Sequence, residues 1–169
     1  CNFTENKTAS HFNYKKRVED EFLRHHAELL NLAIDIRKSE ANVYFFGIGG
    51  SNLAPKIFYE LFKEKGLNKF HFITGSDPEE FRSIKVSESD IAIIASKSFS
   101  TLETLDSYER VCGKKVLNNT FAITSNVSAA TNFGIPKNNI LKLNNDTGGR
   151  FSAWSPVNIV LPILIGEEG

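Results

Sequence analysis

Residues 43–51 read VYFFGIGGS, an apolar run that ends in a turn containing three glycines and a serine. The apolar run is typical of a buried strand, and glycines adopt positive φ values that let backbone N–H groups approach an anion. Ser51 adds a hydroxyl at the start of the helix that follows. The stretch therefore predicts a strand leading into a phosphate-binding loop, and a tight turn needed only for packing is the alternative.

Two familiar nucleotide-binding patterns do not fit this loop. No Gly-Lys-Ser/Thr follows it, which excludes a Walker A loop, and Asn52 occupies the place of the third glycine in G-x-G-x-x-G. A dinucleotide-dependent enzyme also needs an acidic residue after the second strand to hold ribose, and Asp77 is placed for that role. Because the loop itself does not match, this hypothesis ranks last.

The composition favours one globular domain with no general affinity for polyanions. The chain has 169 residues, of which 41% are hydrophobic and 24% charged, enough to bury a core. Lys+Arg and Asp+Glu both number 20, so the zero net charge predicts binding neither to nucleic acid nor to an anionic membrane surface. The longest apolar run, 159–165, contains Pro162 and is too short to span a bilayer.

The cysteines and histidines indicate neither a disulfide framework nor a metal site. Cys1 and Cys112 are read as two free thiols, which predicts a reducing compartment, the cytoplasm. His25 and His26 are adjacent in a helical stretch and point in different directions, so we expect no metal and no cofactor there.

Helical and strand patterns alternate along the chain. An apolar stripe over 14–39, with Arg37 among the charges on the other faces, predicts an amphipathic N-terminal helix. Apolar runs predict strands at 69–74, 91–95, 120–124 and 140–143, and capping signals predict helices at 55–65, 79–83, 102–112, around 129–133 and from Ser155-Pro156 onwards. We therefore expect a single α/β domain over 1–169, a doubly wound five-stranded parallel sheet in flavodoxin-like order with helices on both faces.

Three polar loops follow strands of this sheet, at the edge where doubly wound folds bind ligands. Hydroxyls, backbone N–H groups and a helix N-terminus suit a singly phosphorylated small molecule, with Lys97 as a point charge and Arg150 elsewhere on the ligand. An ordinary capping cluster with a solvated lysine is the alternative for the second loop. The loop residues are Gly49, Gly50 and Ser51, then Ser96, Lys97, Ser98, Ser100 and Thr101, and finally Arg150.

Three segments, FGIGGSNLAP, SKSFSTLET and GGRFSAWS, together resemble the glucose-6-phosphate isomerase (phosphoglucose isomerase) family over 43–165. The resemblance implies a sugar-isomerase (SIS) domain and an aldose–ketose isomerase that interconverts glucose 6-phosphate and fructose 6-phosphate through a cis-enediolate. It further implies a place in glycolysis and gluconeogenesis, no cofactor, and a homodimer. A phosphosugar-binding regulatory module of the same fold, without catalysis, is the alternative.

The resemblance also implies roles for individual residues. Arg150 falls on the arginine that stabilises the enediolate, with Gly49 and Gly149 contributing backbone next to the substrate. Glu103 matches a helix glutamate without a proton-transfer role. The phosphate-binding residues would be Gly50, Ser51, Ser96, Lys97, Ser98 and Thr101.

The family's catalytic glutamate, its ring-opening histidine and a later lysine match no residue up to Gly169. We therefore expect the chain to be a fragment that lacks the second sugar-isomerase domain, and to be inactive by itself. Departures from the family pattern, such as Thr147 in place of the usual valine, concern packing more than chemistry.

Overall fold

The computed structural model describes residues 14–75, 81, 83–145, 147 and 149–166, and for 14–26 and 149–151 it describes the backbone only. The helices and strands are α1 (Tyr14–Ser39), β1 (Val43–Gly47), α2 (Gly50–Phe62), β2 (Phe70–Ile73), β3 (Ile91–Ala95), α3 (Leu102–Val111), β4 (Thr120–Thr124), α4 (Val127–Phe133), β5 (Ile140–Lys142) and α5 (Val160–Ile165). Short 3-10 helices lie at Lys63–Lys65, Leu117–Asn119, Lys137–Asn139, Gly149–Trp154 and Pro156–Asn158.

The five strands form one sheet in the order β2-β1-β3-β4-β5, and every neighbouring pair is parallel. This is the predicted flavodoxin-like order, and the predicted strand positions are confirmed. Gly47 of β1 lies level with Ala95 of β3, which lies level with Ile123 of β4. The segments that follow these three strands therefore leave the same edge of the sheet.

Each face of the sheet is covered by helices, as predicted. Alternate strand residues point to opposite faces, so Phe45 and Ile93 pack with α1 and α5, while Phe46 and Ile94 pack with Tyr108 of α3 and with α4. Burial on both faces explains why the strands are continuous apolar runs.

Helix α2 begins at Gly50, five residues before the predicted start at 55. Proline is favoured in the first helical turn, which suggested that Pro55 opened the helix. The turn at Gly49 instead directs the chain into the helix at once, and Pro55 lies buried in the second turn. The glycine loop and the helix N-terminus are therefore contiguous.

The last helix also differs from its prediction. Ser155 is the predicted N-cap, its hydroxyl accepting from the N–H of Val157, but it opens the 3-10 helix Pro156–Asn158, and α5 begins only at Val160. Of the predicted helix at 79–83 the structure describes only residues 81 and 83, and Asp77, Cys1 and the side chains of His25 and His26 lie outside the described residues. Within the described part of the chain, no helix is long and apolar enough to cross a bilayer.

Arg37 is more than the surface charge that the sequence predicted. Its guanidinium donates to the carbonyls of Ile163, at 2.9 Å, and Leu164 in α5, and to that of Lys65, at 3.1 Å, beyond the end of α2. Helix C-termini carry a partial negative charge. One arginine of α1 therefore binds the ends of two other helical segments.

Candidate phosphate-binding site

A cavity of about 380 Å³ lies at the edge of the sheet where β1 and β3 end. Its lining includes five of the residues predicted from sequence, drawn from two loops that are some 45 positions apart. The lining residues are Ile48, Ser51, Ala95, Ser96, Lys97, Ser98, Thr101, Thr104 and Ser125. The structure thus brings the first two predicted loops together, and their binding of phosphate stays a prediction.

The first loop is a tight turn that only glycine accommodates. Gly49 has φ 56° and ψ −123°, a region that side chains with a Cβ rarely enter. Its carbonyl accepts from the N–H groups of Asn52 and Leu53, at 3.0 and 2.9 Å, so it belongs to the first turn of α2. Gly49 and Gly50 shape the turn and are not part of the cavity lining, whereas Ser51 is.

The second loop, residues 96–101, is held by its own hydrogen bonds. The hydroxyls of Ser96 and Thr101 lie 3.2 Å apart, and the N–H of Phe99 donates to the carbonyl of Ser96 at 3.1 Å. Ser100 donates its hydroxyl proton to Ser98, at 2.8 Å. The hydroxyl proton of Ser98 is therefore not used in that bond and remains a donor for an anion.

Phe99 gives this loop an unusual backbone. It adopts φ 50°, a left-handed conformation that is uncommon for residues other than glycine, and its ring is buried. The ring packs edge-on against Phe133 of α4 with 5.7 Å between centroids. Burial of the aromatic ring thus offsets the local strain and holds the loop in a shape in which its neighbours Ser98 and Thr101 reach the cavity.

The electrostatics of the cavity favour an anion. Lys97 is exposed, and in the part of the chain that the structure describes its ammonium forms no ion pair. The lining contains no carboxylate. The N-termini of α2 and α3, where Thr101 is the N-cap, both face this edge and add partial positive charge.

The third predicted segment is a helix rather than an open loop. Arg150 lies in the 3-10 helix Gly149–Trp154, and for Gly149 and Arg150 only the backbone is described. Ser152 of the same helix donates its hydroxyl to the carbonyl of Gly50 at 2.7 Å. This bond places the segment beside the first loop.

Apart from Ala95 at the end of β3, three lining residues were missed by the sequence analysis: Ile48, Thr104 and Ser125. Ser125 directly follows β4, so the rule that identified the other loops, a hydroxyl after a parallel strand, applies to it as well. Glu103 is exposed and is not part of the lining.

Cys112 takes no part in this chemistry. It is a free, buried thiol beyond α3, and burial, assisted by the charge of Asp90, raises its pKa to about 12. Because a thiol reacts as its thiolate, Cys112 is inert near neutral pH.

Solved structures share this architecture at low sequence identity. A hypothetical protein of Thermus thermophilus gives a TM-score of 0.60 over 90% of this chain and 44% of that one, at 23% identity. A Methanococcus jannaschii protein, for which a function of 3-hexulose-6-phosphate isomerase has been inferred, gives 0.57 over 89% and 82%, at 20% identity. Such identities show the fold alone. The chain is thus an open, doubly wound α/β domain with a cavity at the carboxyl edge of its sheet.

Comparison with family models and curated relatives identifies the family within this class of fold. The family model described as phosphoglucose isomerase matches residues 33–169. The glucose-6-phosphate isomerases of Shewanella frigidimarina, Stutzerimonas stutzeri and Coxiella burnetii are 33%, 35% and 36% identical over 147, 144 and 146 residues, or 78%, 76% and 78% of this chain. The chain belongs to the phosphoglucose isomerase family, as its three motifs predicted. It spans 26–27% of the length of these relatives.

Proposed function

We propose that this chain supplies the phosphate-binding part of a glucose-6-phosphate isomerase, which interconverts glucose 6-phosphate and fructose 6-phosphate. The observation that carries the proposal is the cavity between the N-termini of α2 and α3, lined by five hydroxyl residues of the family motifs, by Ser125 and by one lysine. Membership of the family supports the choice of sugar phosphate. The proposal includes the cytoplasm, glycolysis and gluconeogenesis, and a homodimer of the complete protein.

The donors suit the phosphate end of the substrate. A phosphate dianion accepts many hydrogen bonds, and the hydroxyls of Ser51, Ser98 and Thr101 together with Lys97 offer donors on a wall without carboxylates. Helix N-termini stabilise the same charge. Phosphate is charged in substrate, intermediate and product alike, so this site contributes binding energy throughout the reaction.

Arg150 is assigned to the reacting end of the sugar. Removal of a proton next to the carbonyl produces an enediolate whose negative oxygens exist only around the transition state, and a guanidinium nearby stabilises them. The bond from Ser152 to Gly50 supports the placement of this segment beside the phosphate-binding loop. The base and the ring-opening residue belong, in this proposal, to a second domain of the complete enzyme.

A phosphosugar-binding module without catalysis is the second candidate. The observation in its favour is that the described cavity lining contains no carboxylate, imidazole or thiol to transfer a proton. An isomerase assay on a full-length protein that contains this segment separates the two candidates. Turnover of glucose 6-phosphate supports the enzyme, and binding without turnover supports the module.

The phosphate site itself is tested with Lys97→Ala in the 169-residue chain. Calorimetric titration with inorganic phosphate and with fructose 6-phosphate should show affinity weakened by about 1–3 kcal/mol, as for a charge-assisted hydrogen bond. Added salt should reduce the difference. The matched control is Lys115→Ala, an exposed lysine beyond α3 that does not line the cavity. Equal affinity of Lys97→Ala and wild type at low salt would contradict the site.

A further inference from the structure

We propose that the turn at the end of β4, residues 124–126, positions the phosphate-binding loop 96–101, with Thr124 as the central positioning residue. The inference rests on the proposed function and adds residues that lie outside the family motifs and the three predicted loops. The evidence is a set of hydrogen bonds that all run from this turn to backbone carbonyls of the loop.

The carbonyl of Lys97 accepts three hydrogen bonds from two consecutive residues. The hydroxyl of Thr124 donates at 2.9 Å, and Ser125 donates from its N–H at 3.0 Å and from its hydroxyl at 2.8 Å. The next carbonyl, that of Ser98, accepts from the amide group of Asn126 at 3.2 Å. Two successive carbonyls of the loop are thus bound to the turn.

These bonds matter because a carbonyl oxygen repels an anion. A loop that binds phosphate must direct its N–H and O–H groups to the ligand and its carbonyls elsewhere. In a trans peptide the C=O and the next N–H point in opposite directions. A Lys97 carbonyl fixed on the turn therefore directs the N–H of Ser98 away from β4, and in the described part of the chain that N–H has no protein acceptor.

Thr124 is the residue on which the arrangement depends. It is fully buried at the end of β4, and its hydroxyl both donates to Lys97 and accepts from the N–H of Asn126, at 3.0 Å. Thr124 is not part of the cavity lining, so it acts on the ligand only through the loop. Ser125, in contrast, lines the cavity, so a substitution there would not distinguish contact with the ligand from positioning of the loop.

The turn is itself anchored to the helix that supports Phe99. The side-chain oxygen of Asn126 accepts from the N–H of Ala129 at 3.1 Å, which caps α4. Helix α4 carries Phe133, the packing partner of the Phe99 ring. The loop is therefore held at two points, by the carbonyls of Lys97 and Ser98 on the turn and by the buried ring of Phe99 on α4.

The test compares Thr124→Val with Thr120→Val, both in the 169-residue chain. The two threonines lie at opposite ends of β4, both are fully buried, and both donate to a backbone carbonyl; that of Thr120 is Val116, at 2.8 Å. We expect similar losses in the urea midpoint for the two variants. Only Thr124→Val should raise the dissociation constant for inorganic phosphate, by about 2- to 10-fold, the range of one hydrogen bond.

Two further variants keep the outcome decisive. Thr124→Ser retains the hydroxyl and should restore affinity. Asn126→Ser retains a capping oxygen for α4 but cannot reach the carbonyl of Ser98, so it should raise the dissociation constant about 2- to 3-fold even if Thr124→Val does not fold.

The possible failures are distinguishable. Wild-type affinity in both Thr124→Val and Asn126→Ser overturns the positioning role, as does an equal loss in Thr120→Val, which would indicate general loosening. Absence of phosphate binding by the wild-type chain overturns the proposed phosphate site, and the positioning role with it.

Discussion

Arg150 offers a kinetic distinction between binding and catalysis. In a full-length enzyme that contains this segment, Arg150→Ala should lower kcat by about 10²- to 10³-fold and change KM little, because in the proposed role its charge is needed only when the enediolate forms. Arg150→Lys should recover part of the loss, since an ammonium lacks the planar fork of the guanidinium. Steady-state kinetics with glucose 6-phosphate provide the measurement.

The control for Arg150 is Arg110→Ala. Arg110 pairs with Asp106 at 2.7 Å on the exposed face of α3 and should affect neither constant. A raised KM with kcat preserved in Arg150→Ala would show instead that this arginine binds the phosphate.

Cys112 should make the fold sensitive to alkali. Its pKa is about 12 in the folded chain, above its ordinary value of 9.0, chiefly because burial disfavours the thiolate. The unfolded chain therefore loses this proton first, so the stabilisation is complete below about pH 9 and is lost as the pH rises toward 12. Between pH 8 and 10.5 the free energy of unfolding should fall by about 1–2 kcal/mol more in wild type than in Cys112→Ala. Urea titrations at the two pH values measure this, and parallel pH profiles would contradict it.

The packing of the turn after β2 against α3 depends on a glycine with little space around it. Gly75 follows β2 with φ +78°, and a Cβ there would lie 2.5 Å from the hydroxyl of Ser107 and 3.0 Å from the carbonyl of Glu103. Gly113, beyond α3, has φ +53°, but a Cβ there would make only an ordinary contact, 3.5 Å from the carbonyl of Glu109. Alanine substitutions at the two positions therefore distinguish the cost of backbone strain from the cost of steric overlap.

We expect both alanine variants to lose stability, and Gly75→Ala to lose more. Gly113→Ala should cost about 1–2 kcal/mol for the left-handed backbone alone. Gly75→Ala should cost about 1–3 kcal/mol beyond that, because the Ser107 hydroxyl must turn aside and the Glu103 carbonyl of α3 must give way to admit the methyl group. Urea unfolding of both variants measures the two losses in free energy of unfolding. Equal losses would show that α3 accommodates the added methyl group at no energetic cost.

The layer of helices on one face of the sheet is held together by Arg37. Because its guanidinium donates to carbonyls at the ends of two other helical segments, Arg37→Met should lower the free energy of unfolding by roughly 2 kcal/mol. Arg37→Lys should recover only part, since a single ammonium cannot span all these carbonyls. Lys38→Ala, at the exposed neighbouring position, should stay within about 0.5 kcal/mol of wild type. A loss in Arg37→Met no larger than in Lys38→Ala would mean that the arginine is merely a surface charge.

The strands could be predicted because the information is local, and their order because alternating strands and helices imply a doubly wound sheet. A residue run such as IAIIA at 91–95 is buried on both faces, and continuous apolar character followed by glycine or hydroxyl residues is typical of parallel strands. The motifs at 47–51 and 96–101 also follow directly from the sequence, since each loop belongs to a single strand end. The start of α2 was less accessible, because Pro55 is a plausible opening residue and only the observed φ of Gly49 shows where the helix begins.

Sequence alone thus determined the α/β class, the strands, the family and two of the three predicted loops, because backbone preference and apolar periodicity act between near neighbours. The strand order followed from the doubly wound topology that alternating strands and helices imply. Only the tertiary structure showed that Ser125 completes the cavity, that Thr124 binds the Lys97 carbonyl, and that Arg37 reaches Ile163, 126 positions away. These contacts depend on which strands and helices lie side by side. A polar side chain far along the chain carries no local sign of its partner, so packing of the whole domain decides such hydrogen bonds.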